Sequence, residues 1–326
     1  MKTQILPAQT SEQKGVAVAL AAELLRSGEI VALPTETVYG LAADAFNVDA
    51  VLKVFSAKER PRFDPLIVHL PGSSSLEQVA SGGSSLLRAL AEKFWPGPLT
   101  IVLPRRPGVP DIVTAGLETV AVRVSEHPVF AQVIEKFGRP IAAPSANRFG
   151  RISPTSAQHV IEELDGLIPL VVDAGPTSHG LESTIVMLRN GRLEILRRGP
   201  ITLEQLSEFG AVALALNPVR PEAPGQLASH YAPETPLVLV DDASSYVPPS
   251  SKRCGLLKWN PSSASAQFAE VRELSPQQEM REAAANLFRY LRELDRANLD
   301  LIVAEKVPET GLGAAIMDRL RRAAAK

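Results

Sequence analysis

The chain has 326 residues, 45% of them hydrophobic and 21% charged, with a formal net charge of −2. That length favours two domains over one core, and the charge argues against a protein that grips long nucleic acids over a wide electrostatic surface. A single cysteine, Cys254, excludes a disulfide framework and a thiolate metal site within one chain, and its apolar strand-like setting reads as packing.

Residues 12–27 carry apolar side chains at helical spacing as far as Ser27-Gly28 and predict the first helix. Its apolar run is short and lacks the flanks of a secretion signal, and no run is long enough to span a bilayer. A cytoplasmic protein is the expectation. "EIVALP" predicts a strand stopped by Pro34, and "VDAVLKVFSAKE" a helix. "PLIVHL" (65–70) is a short buried strand, followed by the helix "SSLLRALAEKF", which the prolines of "WPGP" terminate. "LTIVLP" and "TVAVRV" are strands. "HPVFAQVIEKFG" is a helix with Pro128 in its first turn and Gly138 at its end. After the strand "PIAAP", the segment "SPTSAQHVIEELDG" opens with capping residues and Pro154 and runs as a helix to Gly166. "LVVDAG" is a strand, and "STIVMLRNGRLEILR" is a hairpin about Asn190-Gly191.

Residues 212–235 are proline-rich without sustained periodicity and read as an inter-domain linker, although it carries His230 and Tyr231. Beyond it, "PLVLVDD", "CGLLKWN" and "LDLIVAEK" predict strands. "SPQQEMREAAANLFRYLRELDRA" predicts a long helix capped by Ser275, and "GLGAAIMDRLRRAAA" a last helix. Strands separated by helices imply a small α/β domain with a partly parallel sheet. The expected division is 1–211, a linker at 212–235 and 236–326.

Polar clusters recur where the strands of the first domain end. They are "LPTETVYGLAADAF"; "AKERPRFDPLIVHL" with Lys58, Arg60, Arg62, Asp64 and His69; "TVAVRV" with Thr119 and Arg123; "PSANRFGRISPTS" with Ser145, Asn147 and Ser153; and "GLESTIVMLRNGRLEILRRGP" with Ser183, Thr184 and Arg197. Each has an ordinary explanation: a basic helix C-terminus, a solvent-facing strand arginine, a Ser/Asn turn, a core histidine. Together they place cations and hydroxyls where α/β sheets bind ligands, and cationic forks with hydroxyls suit a polyphosphate. There is no G-x-x-x-x-G-K-[ST], no G-x-G-x-x-G after a strand, no zinc spacing and no G-x-S-x-G. The expected chemistry therefore needs no protein nucleophile, only orientation of ligands and neutralisation of phosphate charge.

"PTETVYGL", "KERP", "DPLIVHL", "WPGPLT", "TVAVRV…HP", "PSAN", "SPT", "ESTIV" and "RRGP", in this order, resemble the YrdC domain, and "APGQLASHYAP" followed by a small α/β domain resembles the Sua5 subclass. The resemblance implies an open twisted α/β sheet with a concave basic face, plus a smaller Rossmann-like C-terminal domain. It implies synthesis of L-threonylcarbamoyladenylate from L-threonine, bicarbonate or CO2 and ATP, with release of pyrophosphate. Mg2+ would accompany the ATP. Other proteins would then transfer the threonylcarbamoyl group to adenosine 37 of tRNA; contact of this chain with tRNA is not indicated.

By the same resemblance, Thr35, His69, Arg123, Ser183 and the Ala143 backbone form the threonine site, with Arg123 suited to the carboxylate. Lys58 and Arg60 are the catalytic cations facing the ATP phosphates. Asp64, Thr119, Ser145, Asn147, Ser153 and Arg197 belong to the nucleotide site, and Tyr231, with His230 beside it, is a lid residue reaching back over the nucleotide. No metal-ligating side chains are assigned. Three departures stand out: Asp64 replaces a usual asparagine, Ser125 a common proline, and "PGQLASHYAP" lacks the basic residues of "PGMKYRHYAP". Two other functions compete. One is a non-catalytic RNA-binding module, which the 5% aromatic content disfavours. The other is a carbamoyltransferase of the hydrogenase-maturation type, whose zinc module a single cysteine cannot build.

Overall fold

The computed structural model describes residues 2–215, 221–227, 231–263 and 265–325. It divides into two compact units. One comprises 1–149, 154–178 and 182–226; the other comprises 150–153, 179–181 and 227–326.

In the first unit the elements in chain order are β1 (Gln4–Pro7), α1 (Ser11–Arg26), β2 (Val31–Leu33), β3 (Gly40–Asp44), α2 (Val48–Lys58), β4 (Ile67–His69), α3 (Ser85–Phe94), β5 (Leu99–Pro104), α4 (Asp111–Thr114) and β6 (Thr119–Arg123). They continue with α5 (Pro128–Phe137), β7 (Ile141–Ala142), α6 (Ala157–Leu164), β8 (Leu170–Asp173), β9 (Thr184–Arg189), β10 (Arg192–Arg197), α7 (Leu203–Ser207) and β11 (Val212–Leu214). The strands form one mixed sheet in the order β1-β8-β2-β3-β7-β4-β6-β5-β9-β10-β11. The predicted turns behave as their residues require. Asn190 and Gly191 have φ of 50° and 75°, the left-handed pair of a tight hairpin. Pro128 opens α5 and Gly138 closes it at φ 83°.

Three strands of this sheet escape sequence reading. β1 is a mostly exposed four-residue strand. β3, "GLAAD", is wholly buried, so its small residues show no alternation. β11 lies inside the stretch expected as linker, yet it pairs in parallel with β10. The helix expected from Pro154 starts at Ala157, where the Ser156 hydroxyl accepts from the His159 N–H.

Alternation along the central strands sorts their side chains into two faces. Val68, Ile101, Leu103, Val120 and Val122 join a large core with residues of α2, α3, α4 and α6. On the other face, α1 and α5 cover Val31, Leu33, Ala42, Ile141, Leu170 and Val172. The apolar residues of β4, β6, β5, β9 and β10 on this face lie outside that cluster, although the His69 ring at the end of β4 meets Phe130 of α5. There Ile67, Ala121, Val102, Ile185 and Leu196 form a separate cluster with Met187, Ala215 and Ala223, which no helical residue joins among the described residues. His69 shares this face with Ile67, and Thr119 and Arg123 share it with Ala121.

The second unit contains β12 (Leu237–Val240), β13 (Cys254–Lys258), β14 (Glu270–Glu273), α8 (Met280–Asp295), β15 (Leu301–Glu305) and α9 (Gly313–Ala324). Its sheet runs β12-β15-β13-β14, and all three pairings are parallel rather than partly so. Ser275 does not cap α8, which starts five residues later. Its hydroxyl accepts from the Glu279 N–H instead. Among the described residues no helix is long and apolar enough to cross a membrane.

Candidate functional site

The opening stretch supplies the first wall. Pro34 ends β2, and the Thr35 hydroxyl closes the turn: it donates to the Val38 carbonyl at 2.6 Å and accepts from the Thr37 and Val38 N–H groups. The turn throws Glu36 and Thr37 toward Arg123, at the end of β6. Glu36 Oε1 lies 2.5 Å from Arg123 Nη2. Arg123 Nη1 donates to Thr37 Oγ1 at 2.9 Å and its Nε to the Gly97 carbonyl at 3.1 Å. The Ser125 hydroxyl donates to Glu36 Oε2 at 2.5 Å. All four polar side chains are buried. Burial alone would raise the Glu36 carboxyl, but the Arg123 charge and the hydrogen bonds from Ser125 and Arg123 outweigh it and hold it at about 2.

His69 ends β4 directly beside Arg123 in the parallel register. Its ring meets Phe130 of α5 at 4.7 Å. Burial and the neighbouring Arg123 push the imidazole down to about 3, so it is neutral at physiological pH. Ala143 is buried next to this pair, its N–H donating to the Ile67 carbonyl. Ser183 immediately precedes β9. Its hydroxyl shares a 2.8 Å hydrogen bond with Thr100 and accepts from Arg197 Nη2 at 3.0 Å. Arg197 also donates to the Ser183 and Pro224 carbonyls.

A second cationic group forms where α2 ends. Lys58 is its last residue, and Glu59 turns the chain at φ 53°. The buried Lys58 ammonium donates to the Ser145 carbonyl at 2.6 Å and to the Asn147 carbonyl. Burial and the adjacent Arg60 charge bring its pKa down to about 7, against the opposing pull of Glu163 and Asp64. Arg60 folds back on its own loop, donating to the Asp64 and Pro65 carbonyls and meeting Asp64 Oδ2 at 2.9 Å. Asp64 Oδ1 is buried without a hydrogen-bond partner. Burial raises the Asp64 carboxyl, while Arg60, Lys58 and Arg197 act against it. An acid at this position is thus enclosed by three cations, which offsets its charge.

The remaining predicted residues are dispersed. Thr119 is the first residue of β6, on the Arg123 face but four residues away, about 13 Å along the strand. Ser145 bridges to Gly40, and buried Asn147 donates to the Arg148 carbonyl at 2.7 Å. Ser153 and Tyr231 belong to the second unit. Tyr231 is 1% exposed, at φ 62°, stacked on Phe288 at 5.7 Å and 5.0 Å beneath the Arg319 guanidinium. His230 lies outside the described residues. Arg62 is exposed.

Sequence reasoning missed Glu36, Thr37, Thr100 and Ser125. Glu36 was detectable as an acid between two threonines at a strand end, but its partner is 87 positions downstream in the sequence. Ser125, which stands where the family commonly has proline, holds a buried carboxylate through its hydroxyl. Among the described residues no group of three or more His, Cys, Asp or Glu side chains converges to hold a metal ion.

A mixed sheet with buried arginines at strand ends and a buried lysine at the end of α2, followed by a small all-parallel domain, defines an α/β protein whose buried cations suit an anionic or zwitterionic small molecule. Residues 23–199 match the Sua5/YciO/YrdC family model, described as telomere recombination, and residues 201–325 match the model described as the threonylcarbamoyl-AMP synthase C-terminal domain. The chain is similar to threonylcarbamoyl-AMP synthase of Bacillus subtilis, 41% identical over 94% of this chain and 92% of the relative. It is similar to the Pyrococcus abyssi protein of the same name, 40% identical over 94% and 93%. Among solved structures, P. abyssi Sua5 complexed with L-threonine superposes with a TM-score of 0.91 at 38% identity, covering 99% of this chain and 98% of that one. The chain belongs to the Sua5/YciO/YrdC family, in the Sua5 branch that carries the C-terminal domain.

Proposed function

We propose that this protein synthesises L-threonylcarbamoyladenylate from L-threonine, bicarbonate or CO2 and ATP, as a nucleotidyltransferase that releases pyrophosphate. The observation that carries the proposal is the end-to-end likeness, at a TM-score of 0.91, to a Sua5 protein complexed with L-threonine. The buried Arg123, His69 and Ser183 group supports it on physical grounds, because a desolvated guanidinium is a strong partner for an amino-acid carboxylate.

In this mechanism the threonine amine captures CO2, loses a proton and becomes a carbamate. A carbamate oxygen attacks the α-phosphorus of ATP, and pyrophosphate leaves. No protein nucleophile takes part. Arg123, with Thr35, His69, Ser183 and the Ala143 backbone, orients threonine. Lys58 and Arg60 neutralise phosphate charge, with Asp64, Arg197, Thr119, Ser145 and Asn147 around the nucleotide. ATP phosphates beside Lys58 would restore its full positive charge, since an adjacent anion raises a lysine pKa. Magnesium, when bound, would supply further phosphate neutralisation. Its ligands would be chiefly the phosphates themselves, since among the described residues no cluster of three or more His, Cys, Asp or Glu side chains converges to hold it. The product is the activated donor for adenosine 37 in tRNAs that read codons beginning with A, and the cytoplasm is the expected compartment.

Pyrophosphate release assayed with each substrate omitted tests the proposal. Release is expected only when threonine, bicarbonate and ATP are all present. ATP cleavage that proceeds without threonine would refute it.

A further inference from the structure

We infer that Glu36 recognises the α-ammonium of the amino-acid substrate, opposite the Arg123 that takes its carboxylate. The inference rests on the threonine-site reading above and adds to it a residue and a basis for specificity.

Three buried polar atoms at this strand end have no aligned hydrogen-bond partner: Glu36 Oε1, Arg123 Nη2 and His69 Nδ1. Native interiors leave few such atoms, and each calls for an explanation. Glu36 Oε1 and Arg123 Nη2 meet at 2.5 Å as a buried ion pair, and neither atom has a further partner. Both side chains are held from elsewhere. Ser125 fixes Glu36 through its other oxygen, while Thr37 and the Gly97 carbonyl fix Arg123 through Nη1 and Nε. Paired with each other, Glu36 Oε1 still has a second lone pair and Arg123 Nη2 a second N–H that a ligand can engage.

The three atoms differ in kind. Glu36 Oε1 is an acceptor with negative charge, Arg123 Nη2 a donor with positive charge, and His69 Nδ1 belongs to a neutral ring that takes either role. A hydroxy amino acid in its zwitterionic form presents the complementary set of ammonium, carboxylate and hydroxyl. The buried pair is neutral overall, which suits a zwitterion. A monoanion would satisfy Arg123 and leave Glu36 as an uncompensated buried charge. Glu36 is also too acidic, at about 2, to remove the ammonium proton at neutral pH. Its contribution is recognition.

Calorimetric titration of the full chain with L-threonine and with its 2-hydroxy counterpart, 2,3-dihydroxybutyrate, tests this. The unaltered protein is expected to prefer threonine by about 100-fold, toward the upper end of what one hydrogen bond to a charged group contributes. Glu36→Gln should reduce that preference to within about 3-fold, and Glu36→Asp, which keeps the charge, should retain most of it. Equal affinity for the two ligands in the unaltered chain overturns the assignment without any variant. So does an unchanged preference in Glu36→Gln. No threonine binding to the unaltered chain overturns the threonine-site reading itself, and the assignment with it.

Discussion

Both units bury a glutamate near a strand end, and the two are treated in opposite ways. Glu305, at the end of β15, is fully buried and completely hydrogen-bonded. Oε1 accepts from the Ala243 N–H at 2.8 Å and from the Ser263 hydroxyl, and Oε2 accepts from the Trp259 and Asn260 N–H groups at 2.7 and 2.8 Å. It ties the loops after β12 and β13 together and leaves no oxygen for a ligand. Glu36 is as well buried, but one of its oxygens lacks an aligned donor. A satisfied buried charge stabilises a fold, whereas an incompletely satisfied one marks a place where something binds. On this criterion Glu36 in the first unit fits the proposed substrate site, whereas Glu305 has its hydrogen bonds filled from within its own unit.

Breaking the Glu36–Arg123 pair gives the largest expected effect. Arg123→Ala leaves a buried carboxylate without its cation, which costs about 3–5 kcal/mol of stability by denaturant melts. In the folded protein it should also raise the threonine requirement by about 100-fold while changing the ATP requirement little. A parallel rise in both requirements would show that the pair is structural, like Glu305.

The opposite arm of the comparison is Glu305→Ala. It strands three backbone donors and a hydroxyl, so the second unit should lose about 3 kcal/mol or more. Threonine affinity measured on the folded fraction should be unchanged. A large change in affinity would erase the distinction drawn between the two glutamates.

Lys58 sharpens the comparison through pH. Its folded pKa, about 7, lies below the 10.5 of an ordinary lysine, so between these values the unfolded chain holds the extra proton. The penalty of burying the charged form is therefore full below about pH 7 and is relieved as the pH rises toward 10. The urea midpoint of the unaltered chain should climb over that range relative to Lys58→Met. A flat difference would mean that the ammonium is not held in the low-dielectric setting described.

The smallest effect is expected at Thr100, whose hydroxyl meets Ser183 at 2.8 Å behind Arg197. Thr100→Val keeps the shape and removes one hydrogen bond. A loss of about 1 kcal/mol is expected by denaturant melts, with a threonine requirement raised only a few-fold. No change in either would place Thr100 outside the network.

Legibility in the sequence followed locality. The tight hairpin at Asn190-Gly191, the Pro128 to Gly138 helix and the strands "PLIVHL" and "TVAVRV" depend on neighbours within a few positions, and their residues announced them. β3 was hidden because a strand buried on both faces has no alternation to show, and β11 because proline-rich sequence after it masked a three-residue strand. Of the site, the cations and hydroxyls could be named from their motifs, but not what they touch. Arg60 proved to be bound by its own loop and Asp64. The Thr35 hydroxyl proved to be engaged in its own turn.

By itself, then, the sequence determined the element types, the order of the motifs and the family, because propensity, capping and turn chemistry act over a few residues. The tertiary structure alone decided that α5 reaches β4 at His69, through Phe130, so that His69 and Arg123 stand together at the margin of the helical cover. It alone joined Glu36 to Ser125 across 89 residues. Ion pairing in a desolvated interior depends on distances that only the packed sheet sets, and nothing in the local sequence encodes them.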